Sequence, residues 1–269
     1  MQRGFFLMYI FLLSCSSEYS KEKKIIEKSV QAYGWNQKEF SIVFDFRDYR
    51  YKLTSKPDFF SYQRTTVKKG VLVRDLMTSN SKLRRYQDEI ALKLSDSLKD
   101  IYSNSLNSVM YFFQLPRPLN DPAVIADYDG EKIISNKVYW TLKVKFQEKD
   151  GGKDFQDEFR YWIDPKTGYI DYLAYSYLTD GGGTRFRKAK NIRENNGFIF
   201  QDYTNLRPAK KFTSLDSLPI LYEKGKLILV SNDALSRECD SLVSVKKKLK
   251  PARNDLTCCD VGTNCCNET

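Results

Sequence analysis

The sequence predicts a mainly β fold of the α+β class: a curved antiparallel up-and-down sheet or half-barrel around a central apolar helix, with a second helix near the N-terminus. Three observations predict it. Segments of alternating polar and apolar residues recur along most of the 269-residue chain, separated by short turns that carry glycine or asparagine. Eighteen tyrosines and seventeen phenylalanines favour a core built from strands. One stretch, Leu98 to Asn120, breaks the pattern and reads as an apolar helix with its exit.

The strands are expected to wrap around that helix. Leu98, Tyr102, Leu106, Val109 and Phe113 are spaced four, four, three and four residues apart, which is one helical face. Ser95 followed by Asp96 and Ser97 supplies an N-cap and a negative first turn. Pro116 and Pro118 end the helix, since proline has no N–H to give and disfavours helix in the residue before it. Met110, Tyr111, Phe112, Phe113 and Leu115 make the C-terminal end apolar nearly all round, so it needs cover on more than one side. The apolar part falls short of the about 20 residues that a membrane span takes, and a core helix is the simpler reading.

In chain order, Ile26, Val30 and Tyr33 have helical spacing, with Gly34 as the stop. Phe40 to Leu53 alternates as one strand, with Ile42, Phe44 and Phe46 on one side. Pro57-Asp58 is a turn; Phe60 to Lys68 and Val71 to Thr78 form a hairpin around Lys69-Gly70. Leu83 to Gln87 leads into the central helix. Beyond it, strands are expected at Ala123 to Ile134 (interrupted by Asp129-Gly130), Val138 to Phe146, Asp154 to Ile163, Tyr169 to Tyr177, Thr184 to Ile192 and Phe198 to Leu206. Turns at Asp150-Gly151-Gly152, Pro165 to Gly168, Asp180 to Gly183 and Asn195-Asn196-Gly197 separate the later ones. Ile220 to Val230 is read as a last strand. Short connections of this kind are the mark of an up-and-down antiparallel sheet.

The first 14 residues are read as a lipoprotein signal peptide. Arg3 is a minimal positive n-region and Gly4 to Leu13 a short apolar h-region. It ends in Leu12-Leu13-Ser14-Cys15, which resembles the lipobox of bacterial lipoproteins, where cleavage precedes an acylated cysteine. The alternative, a chance cysteine in an ordinary signal peptide, accounts less well for the small residue before Cys15 and the polar Ser16-Ser17-Glu18 after it. Residues 15–21 would then be a lipidated tether, 22–231 the folded domain and 232–269 a disordered, cysteine-containing tail. Acyl chains at about 0.8 kcal/mol per buried CH₂ hold a protein to a membrane durably when more than one is attached. By the same resemblance, Ser16 rather than an acidic residue suits sorting to the outer membrane, facing the periplasm.

Formal net charge is +10, but the lysines and arginines are spread along the strands rather than gathered in one arm. They read as solvated strand faces near anionic headgroups, and no nucleic-acid partner is expected. The chain has no histidine, which excludes Ser-His-Asp and Cys-His catalysis and histidine-ligated metals.

Several segments together carry a resemblance: Asp45-Phe46-Arg47-Asp48, Asn107 to Phe112, Leu119 to Val124, Gly151 to Asp154, Phe159 to Asp164, Asp171 to Tyr177 and Arg185-Phe186-Arg187. Over about residues 22–231 the chain resembles an uncharacterised family of bacterial cell-envelope lipoproteins. That family has no established activity to carry over. Its layout is similar, by fold analogy, to the half-barrel of Lol-type lipoprotein carriers, in which a curved sheet holds helices in its concavity and shelters acyl chains.

Among candidate sites, Asp45, Arg47, Asp48 and Arg50 form a charge-dense patch. Paired carboxylates could serve acid–base chemistry, but alternating opposite charges on a sheet face usually neutralise one another. The two Gly-rich loops lack a phosphate loop's spacing and following helix, so they read as hairpin turns. Asp150, Asp154, Asp157 and Glu158 do not have calcium-loop spacing. Cys239, Cys258, Cys259, Cys265 and Cys266 suit disulfides better than one tetrahedral ion, and an idle terminus accounts for them as well.

The expected function is a lipid-anchored envelope protein that binds an apolar ligand (an acyl chain, lipid or lipoprotein) in the concavity of its sheet. Tyr102, Val109 and Phe113 would line the cavity, with Arg185 and Arg187 at its mouth. No catalytic residue, metal or cofactor is expected, and nothing in the sequence sets the oligomeric state. The alternatives are a structural or interaction module with a solid core, and a hydrolase built on a carboxylate pair. Replacing the lipidation residue tests the address: Cys15→Ser should leave the chain unacylated by mass and free of detergent partitioning. Retention of lipid by that variant would remove the anchor assignment.

Overall fold

Two antiparallel meanders make up the protein, one on each side of the central helix in chain order. The computed structural model describes residues 19–149 and 156–235. The expected signal peptide, Cys15, the start of the tether, the Asp150-Gly151-Gly152 turn and all five tail cysteines lie outside the described residues.

Helix α1 (Lys21–Ala32) is followed by β1 (Phe40–Phe46), β2 (Tyr49–Lys56), β3 (Phe59–Lys68), β4 (Val71–Thr78), β5 (Ser81–Gln87) and the two-residue β6 (Ile90–Ala91). These six strands form one sheet in sequence order. Helix α2 (Asp96–Phe113) crosses to the second half: β7 (Val124–Ile134), β8 (Lys137–Phe146), β9 (Glu158–Ile163), β10 (Ile170–Tyr177), β11 (Gly183–Asn195) and β12 (Phe198–Arg207). Short helix α3 (Leu218–Glu223) precedes β13 (Ile228–Asp233), and the seven strands form a second sheet, again in sequence order. The fold is thus mainly β and up-and-down, around a central apolar helix.

The helix limits follow the sequence signals. Ser95 Oγ accepts the Leu98 amide at the start of α2, and the helix stops at Phe113, three residues short of Pro116. In α1, Ile25, Ile26, Ser29 and Val30 are buried. The chain then turns at Gly34 and buries Tyr33 and Trp35.

Three expectations are corrected. Phe40 to Leu53 is not one strand: it folds back at Arg47-Asp48, so Asp45 pairs with Arg50 across β1 and β2. The turn went unseen because Arg47 (φ 54°), not glycine or asparagine, takes its left-handed position. Ile220 to Val230 is not one strand either. Pro219 sits in the first turn of α3, where its missing N–H costs nothing, and Gly225 (φ 62°) follows the helix end. Asp129-Gly130 does not interrupt β7; the strand runs through with a register shift between Tyr128 and Glu131, and Gly130 supplies the positive φ.

One core cluster joins both sheets and both long helices. It includes Ile26 and Val30 of α1, Phe44 of β1, Leu53 of β2, Met110 of α2, and Tyr161 of β9. A second, smaller cluster lies on the other face of the second sheet, where Trp162, Tyr172 and Phe186 meet Leu215 and Leu218. Covering that face explains why β9 is buried at every position after Glu158 instead of alternating.

Polar contacts fix α2 on the first sheet. Asp75 accepts Arg64 Nε at 2.8 Å and Arg85 Nε at 2.7 Å, and all but 1% of Asp75 is buried. Burial pushes its carboxyl up in pKa, but the bonds from Arg85 and Arg64 outweigh that and hold it below the usual range. Arg64 Nη1 then donates to Ser105 Oγ of α2 at 2.8 Å. Gly34 ties α1 to the second sheet in the same spirit: a Cβ there would meet the Gly197 carbonyl oxygen at 1.8 Å. Gly34→Ala should therefore destabilise by roughly 3 kcal/mol in urea unfolding. Gly70→Ala, at a similar φ of +79° but with nothing within 4 Å, should cost only about 1–2 kcal/mol of backbone strain.

Candidate functional site

The last turn of α2 sends three consecutive aromatic rings in three directions. Tyr111 reaches β9, where its hydroxyl hydrogen-bonds that of Tyr161 at 2.9 Å. Phe112 packs on Tyr175 of β10 at 5.2 Å between ring centroids. Phe113 stacks on Phe44 of β1 at 3.7 Å and on Phe200 of β12 at 5.6 Å. The space they leave unfilled is a cavity of about 160 Å³ between the two sheets.

Val109, Phe112, Phe113, Phe44, Phe200 and Leu235 are among the cavity's apolar lining. Part of the lining is polar. Asp233 at the end of β13 accepts Arg47 Nη2 at 3.4 Å and lies 3.7 Å from Arg187 Nη2. It thus joins the β1–β2 turn of one sheet to β11 of the other. Both contacts are long, and Asp233 Oδ2 and Arg187 Nε are buried without a hydrogen-bond partner. The Arg187 guanidinium lies over Phe112 at 4.3 Å and donates to the Tyr175 hydroxyl at 3.1 Å. Burial pushes the Tyr203 phenol up to about 12, against the lowering effect of Gln201 and Arg187, so it is neutral at ordinary pH. Chemically the cavity is amphipathic: an apolar body with two guanidinium groups at one end.

The structure brings Val109, Phe113 and Arg187 together here. Tyr102 is elsewhere, two helical turns back, with the Arg85 guanidinium 3.3 Å above its ring. Arg185 is also outside the cavity lining; it stacks over Tyr177 at 5.2 Å and donates to the Thr184 carbonyl. The sequence singles out Arg47 only as part of the charge-dense patch, and it does not single out Asp233, Gln201 or Tyr203. No local signal pairs Asp233 with Arg47, 186 residues away. Arg50 and Asp45 make a bidentate pair at 2.9 Å, which leaves that patch neutralised. Among the described residues the cavity lining holds one carboxylate, Asp233, rather than a pair. Among the described residues no group of acidic or cysteine side chains could hold a metal, and no helix is long and apolar enough to cross a membrane.

The model of a family of unknown function, DUF6503, matches residues 2–233. No curated protein matches the sequence. Among solved structures, a LolA superfamily protein from Nitrosomonas europaea is similar with a TM-score of 0.44 and 13% identity, covering 71% of this chain and 88% of that one. A DUF1329 family protein from Desulfovibrio piger is similar with a TM-score of 0.39 and 11% identity, with the same coverage of 71% and 88%.

The two contacts of Asp233 should weigh differently in stability. Asp233→Ala leaves the 86%-buried Arg187 without its carboxylate and should cost about 2–4 kcal/mol by urea unfolding. Arg47→Ala removes a side chain that is 65% exposed, where solvent screens the pair, and should cost below about 1 kcal/mol.

Proposed function

The chain belongs to the DUF6503 family, and on that premise we propose that it is a lipid-anchored envelope protein that takes the end of an acyl chain into the cavity beside α2. The anchor would be Cys15, the location the outer membrane on its periplasmic side, and the ligand a lipid or lipoprotein. The observation that carries the reading is the lining itself: apolar rings together with Arg187 and Arg47, which meet at Asp233. An acyl chain fills the apolar part, and an ester or phosphate head meets the guanidinium groups.

Volume decides how much of a chain enters. A dry apolar cavity of about 150 Å³ holds a molecule the size of benzene. At about 160 Å³, this one takes only the end of a chain. A longer segment requires the sheets to part. One tie between them at this end is the 3.4 Å contact between Asp233 of the second sheet and Arg47, a side chain that is 65% exposed, at the β1–β2 turn of the first. A ligand head that takes Arg47 from Asp233 would release that tie as it binds, and each further methylene buried would contribute about 0.8 kcal/mol.

The test is saturable binding of a fluorescent fatty acid or an acylated peptide. Phe113→Ala is a poor probe, because removing a ring stacked between Phe44 and Phe200 costs about 3–5 kcal/mol of stability. Val109 is half-buried at the cavity wall. Val109→Trp should fill the space, weaken binding at least about tenfold and leave the far-UV circular dichroism unchanged. If the wild-type chain binds neither probe saturably, the carrier reading fails and a solid-core interaction module replaces it.

A further inference from the structure

A second concave site lies away from the cavity. It is a groove of about 550 Å³ between α1, β3 and the 3₁₀ turn Arg117–Asn120 that follows α2. That volume falls within the about 300–1,000 Å³ typical of small-molecule pockets. Trp35, Phe60 and Tyr62 supply aromatic surface, and Arg117, Glu27 and Asp121 supply charge.

Arg117 is held firmly by neutral groups. Its Nη1 donates to Gln114 Oε1 at 3.1 Å, its Nη2 donates to Ser55 Oγ at 2.9 Å, and its guanidinium lies 5.0 Å from the Phe40 ring centre. Among the described residues no carboxylate pairs with it. The other inward-held arginines differ: Arg64 and Arg85 share Asp75, Arg160 meets Asp216, and Arg193 meets Asp202. Burial pushes the Arg117 pKa down, and only the Tyr62 phenol opposes it. A guanidinium carries five N–H donors, and two of these are used.

Donors outnumber acceptors elsewhere on this wall. The Tyr62 hydroxyl accepts from Gln114 Nε2 at 3.0 Å, which leaves its own hydrogen to give. Trp35, 2% exposed, lines the groove and has an indole Nε1 with no hydrogen-bond partner. On the α1 side the sign reverses. Glu27 is half-buried and, among the described residues, has neither an ion pair nor a hydrogen bond; Asp121 accepts only the Ala123 amide through Oδ1, at 2.8 Å. Among the described residues, one groove therefore carries a guanidinium without a carboxylate and two carboxylates without a cation.

We propose that this groove binds an amphoteric small molecule, its oxyanion (a carboxylate or a phosphate) on Arg117 and its ammonium group at Glu27 and Asp121. Arg117 can offer a fork of two parallel N–H bonds to either oxyanion. The aromatic faces of Phe60 and Tyr62, 4.7 Å apart, would cover the linking carbons and attract the ammonium. A bare dianion would meet Glu27 and Asp121 as like charges, and a simple amine would leave Arg117 unpaired. The two oxyanions correspond to two sources, a free amino acid or a phospholipid headgroup.

Isothermal titration of the full-length chain in detergent separates these cases. The probes are glycine and O-phosphoethanolamine, with sodium acetate, inorganic phosphate and methylamine as single-function controls. At least one zwitterion should bind saturably and at least about tenfold tighter than any control. Binding of glycine points to the free metabolite, and binding of phosphoethanolamine to the headgroup. Arg117→Gln should weaken the zwitterion at least about tenfold. Glu27→Gln, at a partly exposed helix position, should also weaken it, and keeps the test readable if the Arg117 variant fails to fold. The proposal is overturned if neither zwitterion saturates, if a control binds as tightly, or if Glu27→Gln leaves affinity unchanged. Fatty-acid binding at the α2 cavity has no bearing on these outcomes.

Discussion

One helix end has to satisfy the inner faces of two sheets at once. A helix presents side chains in all directions, and Tyr111, Phe112 and Phe113 use three of them. One ring goes to β8 and β9, one to β10, and one to β1 and β12. The larger core cluster spans both sheets, and these rings pack against it from the helix. Planar rings at fixed angles do not fill a wedge between diverging surfaces completely, and the cavity of about 160 Å³ is what they leave. Its walls are therefore the same residues that hold the sheets together. This limits how far it can be emptied by mutation without loss of the fold.

Two buried aspartates show how differently the protein treats charge. Asp75 has two arginines at 2.7 and 2.8 Å, and both of its oxygens are satisfied. That arrangement holds β3, β4 and β5 together and, through Arg64 and Ser105, positions α2. Asp233 has two arginines as well, yet at 3.4 and 3.7 Å, with Oδ2 lacking a hydrogen bond. A buried group left short of partners costs free energy that a ligand or a shift of strands can recover. The first aspartate behaves as a rivet within one sheet. The second joins the second sheet to the β1–β2 turn of the first, at the polar part of the cavity.

Trp35 connects the two concave sites. Its ring meets Phe113 edge-on at 6.0 Å and Phe198 at 4.9 Å on the core side, and it lines the groove that contains Arg117. Both sites also meet at the C-terminal end of α2, since Phe113 walls the cavity and Gln114, the next residue, holds Arg117.

The sequence by itself determined the elements. Period-two alternation, glycine and asparagine turns, the Ser95 cap and the Pro116 stop are local signals, and each acts through the backbone of the residues that carry it. They were enough to give the mainly β meander, both long helices and the apolar end of α2 with Val109 and Phe113. Local signals failed where tertiary contacts took over. Arg47 tolerates a left-handed turn that its residue type disfavours, and its side chain reaches Asp233. β9 loses its alternation because Leu215 and Leu218 cover its outer face. Only the tertiary structure decided that Tyr102 lies under Arg85 instead of in the cavity, and that Asp233 joins Arg47 and Arg187. It also decided that, among the described residues, no carboxylate pairs with Arg117. The physical reason is separation along the chain. A pairing across 186 residues depends on how two whole sheets close over a helix, and no short stretch of sequence encodes that distance.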